Sequence, residues 1–217
     1  MTKKHIAGNE ILIEEAERYA QVNDVVNADA LGAVWAELKA RDCGYDAWFC
    51  YHDTDAPALL VDEIGAVPVD DCVEMRLSKR GYANLLCSGA EQIAETDLDA
   101  FYACYDERNP GMYWTSKRIS SDLSRWGIFT ILSEKQIQGY ILIGVWDPVQ
   151  AEIYCVEAGN SEHGETLIRA ASGFAFDKGK AEVLYMADKN SVAHTAALAA
   201  GFVESGKYTG YRKTVPF

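Results

Sequence analysis

Asn190-Ser191-Val192-Ala193-His194-Thr195-Ala196-Ala197-Leu198-Ala199-Ala200-Gly201-Phe202 is the stretch whose reading decides the fold. Its apolar run reads as a helix over 191–200, stopped at Gly201 and followed by a closing pair of strands. Working back, 181–187 reads as a strand and 164–177 as a helix. A loop rich in Gly, Asn and Ser precedes that helix, and 151–157 reads as the strand before the loop. The apolar runs 128–132 and 140–145 read as a hairpin turning through Glu134-Lys135-Gln136. Upstream lie helices over 116–125 and 97–106, the latter with Leu98, Phe101, Tyr102 and Tyr105 on one side. Asn109-Pro110-Gly111 breaks the chain between them, and 92–94 is a short strand. From residue 92 the order is β-α-α-β-β-β-α-β-α-β-β, an α+β layer sandwich.

The first part of the chain carries a shorter series. Segment 9–22 sets Leu12, Ala16, Tyr19 and Val22 on one face and predicts an amphipathic helix. A second helix over 28–40, with Leu31, Val34, Trp35 and Leu38 inward, stops at Cys43-Gly44. The β-rich run 46–52 reads as a buried strand, and Pro57 opens a helix that Gly65 ends. Val67-Pro68-Val69 and 72–77 read as two strands about an acidic turn. The pattern weakens over 79–88, which places a boundary between a unit 1–84 and a unit 85–217.

Composition narrows the classes. The 217 residues are 49% hydrophobic and 24% charged, with 20 Lys and Arg against 33 Asp and Glu, a net charge of −13. Such a chain repels phosphate backbones, so nucleic-acid binding through an overall basic surface is excluded. The longest apolar stretch, 139–146, is far too short to cross a bilayer, and no membrane association or signal peptide is expected. The six cysteines, at 43, 50, 72, 87, 104 and 155, show no Cys-x-x-Cys and no His at ligand spacing. No metal is expected; the thiols read as small buried hydrophobes in a reducing, cytoplasmic setting.

The runs 128–132, 139–142 and 153–156 resemble the second to fourth strands of the GNAT (Gcn5-related N-acetyltransferase) superfamily. The spacing Asn190-x-x-Ala193-x-x-Ala196-x-x-x-x-Gly201-Phe202 is similar to that family's helix before its last strands. The resemblance covers roughly residues 90–217, a whole GNAT domain. Shifting the first part of the chain by 136 positions, without gaps, pairs Leu31 with Leu167, Gly65 with Gly201, Val67 with Val203 and Arg76 with Arg212. This reads as a tandem arrangement whose N-terminal copy lacks its first strands. The exposed edges of such a half sheet call for cover by the C-terminal unit or by a second copy of the chain, a homodimer.

The resemblance implies a mostly antiparallel mixed sheet flanked by helices, and acetyl-CoA as co-substrate. Its pyrophosphate would rest on backbone amides at the N-terminus of the helix after the fourth strand. The loop there reads Glu157-Ala158-Gly159-Asn160-Ser161-Glu162-His163-Gly164-Glu165-Thr166. In one register Gly164 is the family's first loop glycine, with Ser161 at the Arg position and Thr166 at the second small position. In the other Gly164 is the second glycine, with Gly159 at the Arg position. Either way the cation is gone, and Glu162 and Glu165 add negative charge, which also suits the helix dipole without any ligand. Asn190 belongs with this cofactor-binding set, and Cys155 and Val156 would offer backbone to the pantetheine arm.

The family's general-acid tyrosine, seven residues after the Asn, is Ala197 here, with Tyr185 and His194 as alternatives. For the base that deprotonates the attacking amine the candidates are Glu157, taken as the catalytic residue, and Glu152. The resemblance therefore implies an acyl-CoA-dependent N-acyltransferase acting by direct transfer on a small-molecule amine or peptide N-terminus. A competing expectation is a ligand- or partner-binding module of the same fold that has lost catalysis.

Overall fold

The structure, a computed structural model, describes residues 2–41, 44–82, 89–134 and 136–215. Cys43, Cys87, Lys135 in its turn and the boundary drawn after residue 84 lie outside the described residues. The chain divides into two compact units: residues 1–73 with 206–217, and residues 74–205.

In the first unit, segment 9–22 is a hairpin and not the helix that its spacing suggests. β1 (Thr2–Ile6), β2 (Asn9–Glu14) and β3 (Tyr19–Asn23) run antiparallel in sequence. Ile11, Ile13, Ala20 and Val22 are fully buried or nearly so, at a period of two, whereas Leu12 and Gln21 between them are half-buried. That alternation fits a half-buried strand, and it outweighs the helical spacing of Leu12, Ala16 and Tyr19. Lys3 and Lys4 on β1 charge the edge of this sheet, a device against pairing with another chain. α1 (Ala28–Ala40) starts at Asn27, whose side chain accepts from the Asp29 and Ala30 amides, and buries Leu31, Val34 and Leu38. β4 (Asp46–His52), α2 (Ala58–Asp62) and β5 (Val67–Ser78) follow. The sheet order is β1-β2-β3-β4 and then β11 (Val203–Thr214), the last strand of the chain. β3 and β4 are parallel, β4 and β11 antiparallel.

β5 is one strand, not two about an acidic turn, and β11 is one strand, not a pair. Both departures have one cause. A Cβ on Gly210 would meet the Asp70 carboxylate at 2.5 Å, and one on Gly206 would meet that of Asp53 at 2.6 Å. The glycines that read as breaks in β11 are the space into which acidic side chains fit.

The second unit begins with the short β6 (Glu91–Gln92), then α3 (Leu98–Arg108) and α4 (Ser116–Ser121), shorter than expected because a 3-10 turn, Leu123–Arg125, replaces its end. β7 (Trp126–Ser133), β8 (Gln136–Gly144) and β9 (Gln150–Ala158) form an antiparallel meander. α5 (Ser161–Asp177), β10 (Glu182–Asp188) and α6 (Val192–Ala199) complete the series. The order is β6-β7-β8-β9-β10, with β5 on the other side of β10. One face of the meander packs on α3 and α4 through Phe101, Tyr105, Ile119, Trp126, Ile128, Tyr140 and Leu142. The opposite face meets α5: Phe129 lies edge-on to Phe174 at 5.7 Å, and Gly127 leaves room for the Phe174 ring. The result is an α+β fold with a mostly antiparallel sheet flanked by helices.

The 136-residue shift carries β4 end for end onto β10 and β5 onto β11. It fails before α1. Tyr19 pairs with Asp46, whereas Gln150, not residue 155, pairs with Glu182. Three strands precede α1, so the expected loss of the opening strands does not describe this unit.

Candidate active site

The second unit holds a cleft that its strand pairing makes. β9 and β10 are parallel over four pairs, from Gln150–Glu182 to Ile153–Tyr185. There the ladder ends, while β9 runs on through five more residues to Ala158. β8 holds that extension on its other side, through Cys155–Leu142, Val156–Ile141, Glu157–Tyr140 and Ala158–Gly139. The register slips between Leu142 and Ile143, so Tyr154 is the extra residue of a bulge at the point where β9 leaves β10. Among the described residues no strand pairs with the edge of residues 155–158 turned away from β8, the kind of edge that takes an extended ligand.

That edge leads to the N-terminus of α5. Asn160 caps it, accepting from the His163 amide at 2.8 Å, and the Gly164 amide bonds the Asn160 carbonyl at 3.1 Å. Ser161 and Glu162 are the first two helical residues, whose amides have no intrahelical acceptor. A Cβ on Gly159 would meet nothing within 4 Å, so a ligand can approach its backbone closely. Gly164 is different: it is buried, and a Cβ there would lie 2.8 Å from that of Ala196, so its smallness lets α5 pack on α6. Glu165 pairs with Arg169 at 2.8 Å, and Arg169 also donates to the Ala199 carbonyl at 2.7 Å. The Glu165 charge is thereby answered within the helix. Thr166 donates its hydroxyl to the Glu162 carbonyl at 2.9 Å, and Gly159, Asn160, Ser161 and Glu162 are exposed at the helix start.

Glu157 is exposed and stands on the α3 side of β9 with Cys155. Its carboxylate charge reaches both Cys155 and Tyr140. Burial first, and then that charge, push the Cys155 thiol up to about 12. A thiol so raised stays protonated and is no nucleophile. It contacts the Asn109 side-chain oxygen at 3.6 Å, while the Asn109 amide donates to the Tyr140 hydroxyl at 2.7 Å and to the Tyr105 carbonyl at 2.9 Å. Burial also holds the Tyr140 phenol well above the usual tyrosine range. This buried polar set fixes the α3 end of the loop against the floor of β8 and β9.

Asn190 takes a left-handed turn, φ +64°, between β10 and α6, and its amide donates to His194 Nδ1 at 3.3 Å. His194 is 5% exposed, and its Nε2 lies 3.0 Å from Glu204. Since Nδ1 accepts, Nε2 carries the proton and gives it to Glu204, which leaves neither nitrogen for a leaving group. Ala197 is fully buried, and Tyr185 is buried at the last rung of the β9–β10 ladder. Glu152 accepts from the Tyr154 hydroxyl at 2.7 Å and so faces the α3 side as well.

Residue patterns gave no sign of one group. Trp114, before α4, Trp126, Trp146 and Tyr154 come from four separate segments, yet every pair of their rings lies with centroids between 5.1 and 5.9 Å apart. A Cβ on Gly144 would sit 2.0 Å from the Trp146 ring, so that glycine is the seat of the indole. Three tryptophans spread over 33 positions carry no periodic signal; pairing of β7, β8 and β9 gathers them.

Among the described residues no group of three His, Cys, Asp or Glu could hold a metal ion, and no helix is long and apolar enough to cross a membrane. Cys104 and Cys155 are free thiols.

The fold has close counterparts among solved structures. A GCN5-related N-acetyltransferase from Sphaerobacter thermophilus matches with a TM-score of 0.66 at 18% identity, over 96% of this chain and 76% of that one. One from Kribbella flavida matches at 0.68 and 10% identity, over 98% and 89%. A tandem GNAT protein from the clavulanic acid biosynthesis pathway matches at 0.54 and 9%, over 95% and 78%. The chain therefore has the GNAT fold, and the likeness extends beyond residues 90–217 to nearly its whole length. No protein-family model matches the sequence, and no curated protein matches it.

Proposed function

We propose that this chain is an acyl-CoA-dependent N-acyltransferase that moves an acyl group, most simply acetyl from acetyl-CoA, to a primary amine. The observation that carries the reading is the β9 edge, residues 155–158, which runs on past the last β10 pair from the bulge at Tyr154 to the capped start of α5. The residues suit such a donor. The edge of Cys155 and Val156 offers backbone to the pantetheine amides, and Gly159, Ser161 and Glu162 offer backbone N–H groups and a helix dipole to the diphosphate. With no cation supplied by Ser161 or Gly159 in the Arg position, that attraction is weaker, and donor affinity is modest.

Glu157 accepts the proton of the incoming ammonium, directly or through a water. The neutral amine then forms its bond to the acyl carbon as the carbon–sulfur bond breaks; the nitrogen gives its second proton to solvent, and the departing thiolate takes one from solvent. Cys155 stays protonated throughout, so no acyl-enzyme forms. A reducing compartment, such as the cytoplasm, suits the free thiols. The agreement of β4 with β10 and β5 with β11 supports a tandem origin for the two units.

One observation favours a second reading, a binding module without turnover: Ala197 is buried and His194 is committed to Glu204, which removes proton donors from α6. Titration of the full chain with acetyl-CoA decides the first step. Binding heat and a rise in Tm are expected, about 2.7 kcal/mol of stabilisation at a hundredfold excess over Kd. Silence at millimolar ligand overturns the proposal. Binding without transfer to any amine in a broad acceptor screen selects the second reading.

A further inference from the structure

α5 and α6 start side by side, each after one strand of the parallel pair β9–β10. A Cβ on Gly164 in α5 would lie 2.8 Å from that of Ala196 in α6, so a shift of one helix start is passed to the other. The turn of residues 188–191 joins β10 to α6, and its Ser191 amide bonds the Asp188 carbonyl at 3.1 Å. His194 ties this turn to the helix twice. Its amide donates to the Ser191 hydroxyl at 3.0 Å, and its Nδ1 accepts from the Asn190 amide at 3.3 Å. The arrangement is a capping box moved back by one residue, with histidine where Glu or Gln usually reaches back. A carboxylate or amide oxygen keeps its acceptor role at neutral pH, whereas Nδ1 accepts only while it is bare. Nε2 lies 3.0 Å from Glu204 and carries its proton toward that carboxylate. A further proton has one place to go, Nδ1, where it sets an N–H against the Asn190 N–H.

Resting on the acyltransfer reading, we infer that His194 is a positioning residue for the acyl-CoA site, and that it frees the Asn190 turn, and weakens donor binding, when its imidazole takes up a proton. The charged groups around the ring set the sign. Glu204, on β11, favours the imidazolium, but its side chain is about half exposed and its charge is screened. The Asn190 amide and the positive end of α6 oppose it. On α5 Glu165 and Arg169 are paired with each other, and on β9 Glu152 and Glu157 stand on the opposite face of the sheet. Asp188 and Lys189 of the turn are exposed. Acid therefore strengthens the Glu204 pair at the expense of the Asn190 bond. The loosened first turn of α6 then moves against Gly164 and disturbs the amides at the start of α5. Histidine is the side chain that ordinarily changes charge between about pH 5 and 8, so donor affinity falls as pH falls through that range.

The test uses the full chain. Acetyl-CoA is titrated calorimetrically from about pH 8 to about pH 5.5, and the Asn190 amide and His194 ring nitrogens are followed by NMR over the same range. The affinity of the parent chain should fall about fivefold, the worth of one hydrogen bond. His194→Ala should bind weakly at every pH. His194→Gln, whose side-chain oxygen can accept from Asn190 and takes no proton, should rescue binding and lose the fall. Glu204→Gln should move the fall to lower pH, which the loss of a merely structural contact would not do. His163, in the first turn of α5, acts with the opposite sign, since its proton favours an anion there. His163→Gln should therefore steepen the fall. Protonation of the donor's own phosphate is common to all variants and cancels between them. A His194→Gln profile equal to that of the parent overturns the inference and leaves the donor reading standing. An Asn190 amide that shifts as His194 is protonated, in a chain that binds no acetyl-CoA at any pH, upholds the proton-sensitive turn and overturns the acyltransfer reading.

Discussion

The parallel pair β3–β4 in the first unit and the parallel pair β9–β10 in the second begin alike and end differently. In both, a strand leads into a helix and the helix into the parallel partner. β3 stays paired to its last residue, Asn23 with Cys50, and Asp24 then folds over the end of β4. The Asp24 amide donates to the Cys50 carbonyl at 2.8 Å, and its carboxylate accepts from the His52 amide at 2.7 Å. The gap between strand and helix is sewn shut. β9 instead leaves β10 after Ile153, bulges at Tyr154 and keeps only β8 for the rest of its length. A binding cleft in such a fold is thus a matter of where one ladder stops and what the next residues do with their backbone groups. One donor molecule per chain is expected, held by the second unit, and a calorimetric stoichiometry of two would break the comparison.

The largest effect belongs to Glu157. Glu157→Gln keeps size and hydrogen bonding but removes the proposed base, and should lower kcat/KM for amine transfer by about a hundredfold or more. Donor affinity, measured by titration, should stay within a factor of a few. A variant with full activity would return the role to Glu152, or to no residue of β9 at all.

Gly164 ranks next. Gly164→Ala puts a methyl where a Cβ would be 2.8 Å from that of Ala196, and overpacking of that kind costs about 1–3 kcal/mol. Relief requires α5 to move away from α6, and the start of α5 moves with it. The expected result is a lower melting temperature together with weaker acetyl-CoA binding. A variant of wild-type stability would mean that the two helices are less tightly apposed than their backbone positions state.

Much of this was legible from residue patterns and some was not, for identifiable reasons. α1, β4 and the series β7 to α6 stand within a few residues of their expected places, because apolar runs bounded by Gly, Asn and Pro are unambiguous there. The hairpin at 9–22 was obscured because Leu12, Ala16, Tyr19 and Val22 satisfy a helical spacing while Ile11, Ile13, Ala20 and Val22 satisfy a strand. β5 and β11 looked broken because Asp70 of β5 fits against Gly210 of β11, and Asp53 after β4 against Gly206, across chain distances of more than a hundred positions. Glu157, the base proposed here, lies at the strand end where residue patterns place it, and the kcat/KM of Glu157→Gln decides its role. The aromatic group could not be picked from such patterns, since only strand pairing brings its members together.

The third test concerns the closed pair. Asp24→Ala leaves the His52 amide without its acceptor and puts alanine at φ +50°, so a loss of about 1–2 kcal/mol is expected in denaturant unfolding. Acetyl-CoA binding by the second unit should be unchanged, whereas Asp24→Asn, which keeps an acceptor and tolerates the left-handed turn, should lose less. A fall in donor affinity equal to that of Gly164→Ala would deny that the two strand pairs act separately.

Proton linkage sharpens the open side. The Cys155 thiol, raised to about 12 mainly by burial, keeps its proton in the folded chain after an unfolded thiol, near ~8.5, has lost it. The unfolded state then binds fewer protons, so stability falls as pH rises from about 8.5 toward 12. Cys155→Ala should flatten part of that slope relative to the parent chain. At pH 8 iodoacetamide should label Cys155 far more slowly than an exposed thiol, and rapid labelling would show that the floor beside Glu157 is open to water.

The smallest effect compares one glycine in each helix. Gly173 in α5 has the Tyr82 hydroxyl 2.8 Å from where its Cβ would be, just as Gly164 has Ala196, whereas a Cβ on Gly32 in α1 would meet nothing within 4 Å. Among the described residues, no packing around α1 requires Gly32 to be bare. Glycine inside a helix costs up to about 1 kcal/mol relative to alanine through the freedom it has when unfolded. Gly32→Ala should therefore stabilise the chain by about 0.5–1 kcal/mol and leave transfer untouched. The same change at Gly173 should destabilise it, because Tyr82 must give way and its bond to the Arg169 carbonyl, 3.2 Å long, goes with it. Opposite signs from one substitution would show that α5 is built to close tolerances on two sides, as a helix that positions a site must be, and that α1 is not.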